Sequence, residues 1–285
     1  MMKKCTNSRY HESINKTIDY IQIHIRQPID LKSLAEVANI SEYHFHRIFK
    51  AFIGESLGSY ILRVRIESAA GYLRVSNHTL TEIAEKVGYN NQQALSKAFK
   101  RHFGVTPTAF RNIETFFNSK REVKKPCNIL HPTIRHEKKI SLVYLRIIDQ
   151  YGAPEAYKQA WGRLGSYMHS NHLFNQRTEA IGLSFDDPNI TKGEQCRFYA
   201  CYSIEESVEM EGEIGTYALD EGKFAVFTLH GSYNQIAQMY HDIYYGWLPQ
   251  SGVTLRDSVS YEKYLNHPDR VKKEELLTEI YIPIQ

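Results

Sequence analysis

The chain has 285 residues, 42% of them hydrophobic, which suits two domains with separate cores, and no apolar run is long enough to cross a membrane. No secretory signal is expected from MMKKCTNSRYHESINKTID, and four cysteines in no framework spacing (Cys5, Cys127, Cys196, Cys201) predict a reduced, cytoplasmic protein. The net charge of +3 is unevenly spread: residues 1–125 hold 20 Lys/Arg against 11 Asp/Glu, the remainder 15 against 21, so only the first part is basic enough to seek a polyanion.

The first 112 residues read as helices joined by short turns. Ile14, Ile18, Ile21 and Ile25 form an apolar stripe at helical spacing, ended by Pro28. The segment DLKSLAEVANIS follows, with Asp30 as N-cap, and Ser41 caps the helix of EYHFHRIFKAFIG. A longer helix over Ser56 to Leu73 leads to TLTEIAEKVGYNN and NQQALSKAFKRHFG, which repeat the earlier pair. Leu34-Ala35-Glu36 matches Ile83-Ala84-Glu85; with a one-residue shift, Phe49-Lys50 matches Phe99-Lys100, Gly54 matches Gly104 and Tyr60 matches Phe110. Each copy is helix, tight turn, helix, with Asn39 or Gly88 at the turn, residue types that tolerate a left-handed backbone.

In each second helix one face is apolar (Phe45, Ile48, Phe49, Phe52; Leu95, Ala98, Phe99, Phe103). The opposite face carries Tyr43, His46, Arg47 and Lys50 in one copy and Gln93, Ser96, Lys97 and Lys100 in the other. Arg and Lys can read guanine edges, Gln can read adenine, and Lys also pairs with phosphate. Two such faces in a basic, duplicated domain point to double-stranded DNA.

This stretch resembles the AraC/XylS family of transcription regulators, on the strength of SLAEVANISEYHFHRIFKAFIGESLGSYI, RVRIESAAGYL and IAEKVGYNNQQALSKAFKRHFGVTPTAFR. The resemblance implies an all-α fold of two helix-turn-helix subdomains joined by one long helix, with recognition helices entering successive major grooves. In the family's MarA/Rob branch, base contacts come from positions matching Tyr43, His46 and Arg47, and Gln93, Ser96 and Lys97. RNA polymerase is a further partner implied for such a regulator.

NSKREVKKPCNILHP is charged and holds two prolines, so residues 114–133 are expected to be a linker between a DNA-binding domain at 9–113 and a second domain at 134–285. Beyond it, ISLVYLRIID, CRFYACYSI, KFAVFTLH and EIYIPI read as strands, and PEAYKQAWGRLGSYM and YNQIAQMYHDIYYGWL as amphipathic helices, giving an α+β domain with signs of internal duplication. In the late strands Glu262 shares a face with Tyr264, and Glu279 with Tyr281, opposite Ile280, Ile282 and Ile284. With helices on the isoleucine face, both Glu–Tyr pairs are expected to face away from it. A carboxylate walled by tyrosines suits a lipophilic cation, although strand parity alone equally suits solvent-facing residues.

KFAVFTLHGSYNQIAQMYHDIYYGWLPQSG, YEKYLN and the terminal LTEIYIPI are similar to the GyrI-like effector-binding domain. That resemblance implies two β-α-β-β units around a groove for hydrophobic, often cationic, compounds. The matching acids are Glu262 and Glu279, and the aromatic walls Tyr264, Tyr281, Tyr233 and Trp247. No metal site or cofactor is expected, since no His or Cys pair stands at ligand spacing among acids. A GyrI-like hydrolase, with Glu262 as base, or a drug-sequestering protein tethered to DNA are the alternatives; fusion to a DNA-binding module favours a sensor over an enzyme.

Overall fold

The computed structural model describes residues 2–112, 131–206, 208, 210 and 212–285, with side chains from Ser8 on. These residues divide into two compact units. The expected linker at 114–133 lies outside the described residues as far as 130, and Thr133 already opens the first strand.

The first unit is all α. Helix α1 (Met2–Ile23) precedes α2 (Leu31–Ala38) and α3 (Glu42–Ile53), then the long α4 (Leu57–Val75), α5 (Leu80–Lys86) and α6 (Gln92–Phe103); a seventh helix, α7, opens at residue 107. Local chemistry sets these boundaries. Asp30 accepts from Ser33 N at 2.8 Å ahead of α2, Ser56 caps α4, and Asn91 accepts from Ala94 N at 2.8 Å ahead of α6. Both recognition-type helices end at a left-handed glycine, Gly54 (φ 83°) after α3 and Gly104 (φ 77°) after α6. The inter-helix turns are left-handed at Asn39 (φ 52°) and Gly88 (φ 79°). At Gly88 a Cβ would lie 2.5 Å from the Ile25 carbonyl, so the position needs glycine for space as well as conformation.

The repeat extends to the packing. Phe49 meets Tyr60 edge-on at 5.5 Å, and Phe99 meets Phe110 edge-on at 5.4 Å, so each copy closes its core with the same ring pair. Ile14, Ile18 and Ile21 of α1 join Leu34, Phe45, Phe49 and Tyr60 in one buried cluster. On α4, buried Arg63 is held by Glu55 (2.7 Å) and Glu67 (3.0 Å).

The second unit is one eight-stranded antiparallel sheet in the order β1-β6-β8-β7-β3-β4-β2-β5. Its strands are β1 (Thr133–Glu137), β2 (Ile140–Ile148), β3 (Ala180–Ser184), β4 (Arg197–Ser203), β5 (Ile214–Leu219), β6 (Gly222–His230), β7 (Tyr261–Tyr264) and β8 (Leu277–Ile284). Helix α8 (Pro154–Ser170) follows β2; α9 (Ile236–His241) follows β6 and runs through a π-helical stretch (Asp242–Trp247) into α10 (Leu248–Ser251). The two halves, β2-α8-β3-β4 and β6-α9/α10-β7-β8, meet where β3 pairs with β7. The strand leading into each half pairs with the other half: β1 adds to β6, and β5 to β2.

Each strand presents alternate residues to two faces. One face packs on the helices, with Val143, Leu145, Phe198 and Ala200 against Leu164 and Met168 of α8, and Ala225, Phe227, Ile280 and Ile282 against Ile243. The other carries Leu142, Tyr144, Tyr199, Tyr261 and Tyr281, with Tyr144 on Tyr199 (4.2 Å) and Tyr261 on Tyr281 (4.3 Å) as stacked pairs.

Candidate functional site

In the first unit the apolar and polar faces of the two second helices separate cleanly. Phe45 and Phe49 are fully buried on α3, as are Leu95 and Phe99 on α6. Tyr43, His46, Arg47 and Lys50 are exposed, as are Gln93, Lys97 and Lys100, while Ser96, beside Leu95, is half-buried. Tyr43 is 71% exposed, an unusual position for a large aromatic side chain without a partner surface. The Arg47 guanidinium lies over its ring at 5.8 Å, so the two long side chains project together from the N-terminal half of α3. Lys50 and Lys100 lie in the last helical turns, close to the C-terminal caps.

In the second unit, register decides what the late strands can do. Glu262 pairs with Ile280, Lys263 with Glu279, and Tyr261 with Tyr281. Directly paired residues share a face, so Glu262 and Tyr264 stand on the helix-covered side with Ile280, and Glu279 and Tyr281 on the other. The expectation that both pairs line one groove, away from the isoleucines, is therefore corrected: the two acids are on opposite faces of the sheet.

Glu262 is 3% exposed, and among the described residues no Lys, Arg or His forms an ion pair with it. The Tyr264 hydroxyl donates to Oε2 at 2.5 Å, and Ser184 Oγ donates to Oε1 at 3.3 Å. The Tyr240 hydroxyl, from α9, also faces the carboxylate without completing a hydrogen bond. Burial pushes the Glu262 carboxyl above the usual carboxylate range, and the hydrogen bonds from Tyr264 and Ser184 only partly oppose this. Aromatic rings surround it: Tyr264 meets Trp161 edge-on at 5.7 Å and Tyr233 at 5.3 Å, and Trp161 meets Tyr202 at 5.4 Å. Gly182 stands opposite Glu262 on β3.

Glu279 has a different environment. Arg135 of β1 grips it in a bidentate pair (2.8 and 3.0 Å), and the Tyr281 hydroxyl donates to it at 2.7 Å. Burial pushes this carboxyl up, but Arg135 and Tyr281 outweigh it and hold the group below its usual range. Its charge is already met within the fold. Trp247 packs edge-on against Phe227 at 5.0 Å in the isoleucine cluster rather than on Tyr264. The structure thus brings together Glu262, Tyr264 and Tyr233 of the expected set, separates Glu279, Tyr281 and Trp247 from them, and adds Tyr240, Ser184 and Trp161. Those three carry no periodic signal of their own: on sequence grounds Tyr240 and Trp161 are indistinguishable from core aromatics.

Among the described residues no group of His, Cys, Asp or Glu is arranged to hold a metal ion, and no helix is long and apolar enough to cross a membrane. Comparison with known families matches residues 131–285 to a GyrI-like small molecule binding domain and residues 34–113 to a helix-turn-helix domain. Over 288 residues the chain is 23% identical to the right origin-binding protein of Escherichia coli (strain K12), covering 95% of this chain and 98% of that protein. It is 33% identical over 99 residues to the multiple antibiotic resistance protein MarA of Salmonella typhimurium (35% of this chain, 78% of that protein). It is also 34% identical over 113 residues to the uncharacterized HTH-type transcriptional regulator YbfP of Bacillus subtilis (strain 168), a match spanning 40% of this chain and 38% of that protein.

Proposed function

The chain belongs to the GyrI-like small molecule binding domain family, joined to a helix-turn-helix domain of AraC type, and from that premise we propose a ligand-responsive transcription regulator whose effector is a hydrophobic cation held at Glu262. The observation that carries the effector assignment is a buried carboxylate, ringed by aromatic side chains, with no cationic partner among the described residues. A buried unpaired carboxylate is costly to the fold, and a bound cation relieves that cost while gaining cation–π attraction from the surrounding rings.

On the DNA side, Tyr43, His46 and Arg47 of α3 and Gln93, Ser96 and Lys97 of α6 are proposed to meet base edges, with Lys50 and Lys100 on phosphates. Unlike residues on two like helices would read an asymmetric site. RNA polymerase is the partner proposed for the output, in the cytoplasm. Sensing is favoured over turnover because the small molecule binding domain is joined to a helix-turn-helix domain in one chain.

The test is selection of bound duplexes from a randomised pool by the full chain, followed by titration of the selected duplex against salt and against lipophilic cations. The proposal expects a defined site, a steep fall of affinity with salt, and a cation that binds the wild type but not Glu262→Gln. A chain that selects no sequence lacks the proposed DNA function; cation binding unchanged in Glu262→Gln removes the effector assignment.

A further inference from the structure

Two hydroxyls on the helix-covered side of the sheet have no hydrogen-bond partner among the described residues: Tyr240 Oη on α9 and Thr278 Oγ1 on β8. Both oxygens are buried, and Thr278 is 0% exposed as a residue. A buried hydroxyl left unpaired destabilises the fold that holds it, so two in one place call for an explanation. Their place is the Glu262 site. Thr278 stands directly across from Tyr264 and is the diagonal neighbour of Glu262 on the same face, where β-carbons lie within about 7–8 Å. Tyr240 faces the Glu262 carboxylate from α9.

The charges limit the ligand further. Glu262 supplies one negative charge, and the second acid of the late strands, Glu279, is on the other face and already paired with Arg135. Ser184 and Tyr264 act only as donors to Glu262, whereas a free hydroxyl accepts as well as donates.

We propose that Glu262, Tyr240 and Thr278 form a receptor for a protonated monoamine, with one N–H on the Glu262 carboxylate and the others on Tyr240 Oη and Thr278 Oγ1. The proposal rests on Glu262 being the effector carboxylate, as argued above. A quaternary ammonium of the same body carries the same charge but no N–H, and leaves both hydroxyls unpaired. The site therefore discriminates between cations of equal charge and similar shape by their hydrogen-bonding capacity.

The test uses the full chain and two probes, 1-naphthylmethylammonium and its N,N,N-trimethyl analogue, titrated by calorimetry at neutral pH. Wild type is expected to bind the primary amine about tenfold or more tightly than the trimethyl compound, the effect of one to two charge-assisted hydrogen bonds. The double variant Tyr240→Phe/Thr278→Val should bring that ratio to within about threefold, by weakening the amine and leaving the trimethyl compound unchanged. Thermal unfolding gives an independent readout: removing two unpaired hydroxyls should leave the melting temperature unchanged or raise it, whereas a structural role would lower it. Equal affinity of wild type for the two probes overturns the proposal, as does a ratio the double variant leaves intact. Glu262→Gln separates the two levels of the account. If both probes weaken together in that variant while wild type shows no preference between them, the effector carboxylate stands and only the amine receptor falls. If neither probe binds wild type, or Glu262→Gln binds both as wild type does, both readings fall.

Discussion

Gly182 stands directly opposite Glu262 across the β3–β7 pair, and the space a side chain would take there is occupied by Phe198 and by Tyr264, whose hydroxyl is bound to Glu262. The two halves of the domain meet at this pair. Gly182-Leu183-Ser184 and Glu262-Lys263-Tyr264 align without a gap, as do Asp186-Asp187-Pro188 and Asn266-His267-Pro268, so one copy contributes the carboxylate and the other the room for its tyrosine.

Gly182→Ala should therefore damage the site without touching the carboxylate. Its Cβ would lie 2.6 Å from both Tyr264 Oη and Phe198 Cζ, closer than real Cβ contacts come. Tyr264 must leave Glu262 or Phe198 must leave its packing, at about 1–3 kcal/mol. Denaturant unfolding should show that loss together with weaker cation binding; a variant with unchanged stability and affinity would mean that the close packing at this pair has no role.

Glu262 should reveal itself in the pH dependence of stability. Its carboxyl is raised by burial, so the folded state binds the proton more tightly than the unfolded chain. The wild type then loses stability as pH rises from about 4.3, the unfolded glutamate value, through the raised folded value. Glu262→Gln lacks that titration, so its advantage over the ligand-free wild type should widen with rising pH across the window. An advantage that narrows with rising pH would contradict the assignment; denaturant melts of both proteins at several pH values measure it.

The opposite face should behave independently. Arg135→Ala leaves Glu279 buried without its cation; because Arg135 is itself 38% exposed, the cost should be about 1–2 kcal/mol, below that of a fully buried pair. Cation affinity should not change. Loss of cation binding in Arg135→Ala would mean that the two faces are coupled.

On the recognition helices, Arg47→Ala and Gln93→Ala should each cost about 1–3 kcal/mol on the selected duplex and relax preference at a base step, with little effect on random DNA. Lys50→Ala and Lys100→Ala should weaken all duplexes alike and lower the salt slope by about one each. Anisotropy titrations at several salt concentrations separate the two patterns, and Arg47→Ala or Gln93→Ala with wild-type preference would remove those residues from base reading.

The helical unit was legible because its signals are local. Helical periodicity identified the buried Phe45/Phe49 and Leu95/Phe99 pairs, and Asn39 and Gly88 are left-handed in the structure, as their types suggested. In the sheet, parity correctly placed Glu262 with Tyr264 and Glu279 with Tyr281. Parity cannot say which face of one strand continues which face of the next; that depends on register, where a one-residue shift exchanges the faces. The observed register sets Glu262 against Ile280, and this long-range fact separated two acids that looked alike in sequence. Strands β1, β3 and β5 were missed. Each is five or six residues long, β1 and β5 lie at the sheet edges, and β3 carries Gly182 at its centre. The gapless match of Gly182 with Glu262 was the available signal that the acid lies at the junction of the halves.

The most direct test is a calorimetric titration of 1-naphthylmethylammonium into the full-length wild type, Glu262→Gln and Glu279→Gln at two pH values. The account predicts binding to wild type that strengthens as pH rises and the Glu262 carboxyl ionises, a loss of about tenfold or more in Glu262→Gln, and no change in Glu279→Gln. Equal affinity of wild type and Glu262→Gln, or a loss confined to Glu279→Gln, would contradict it.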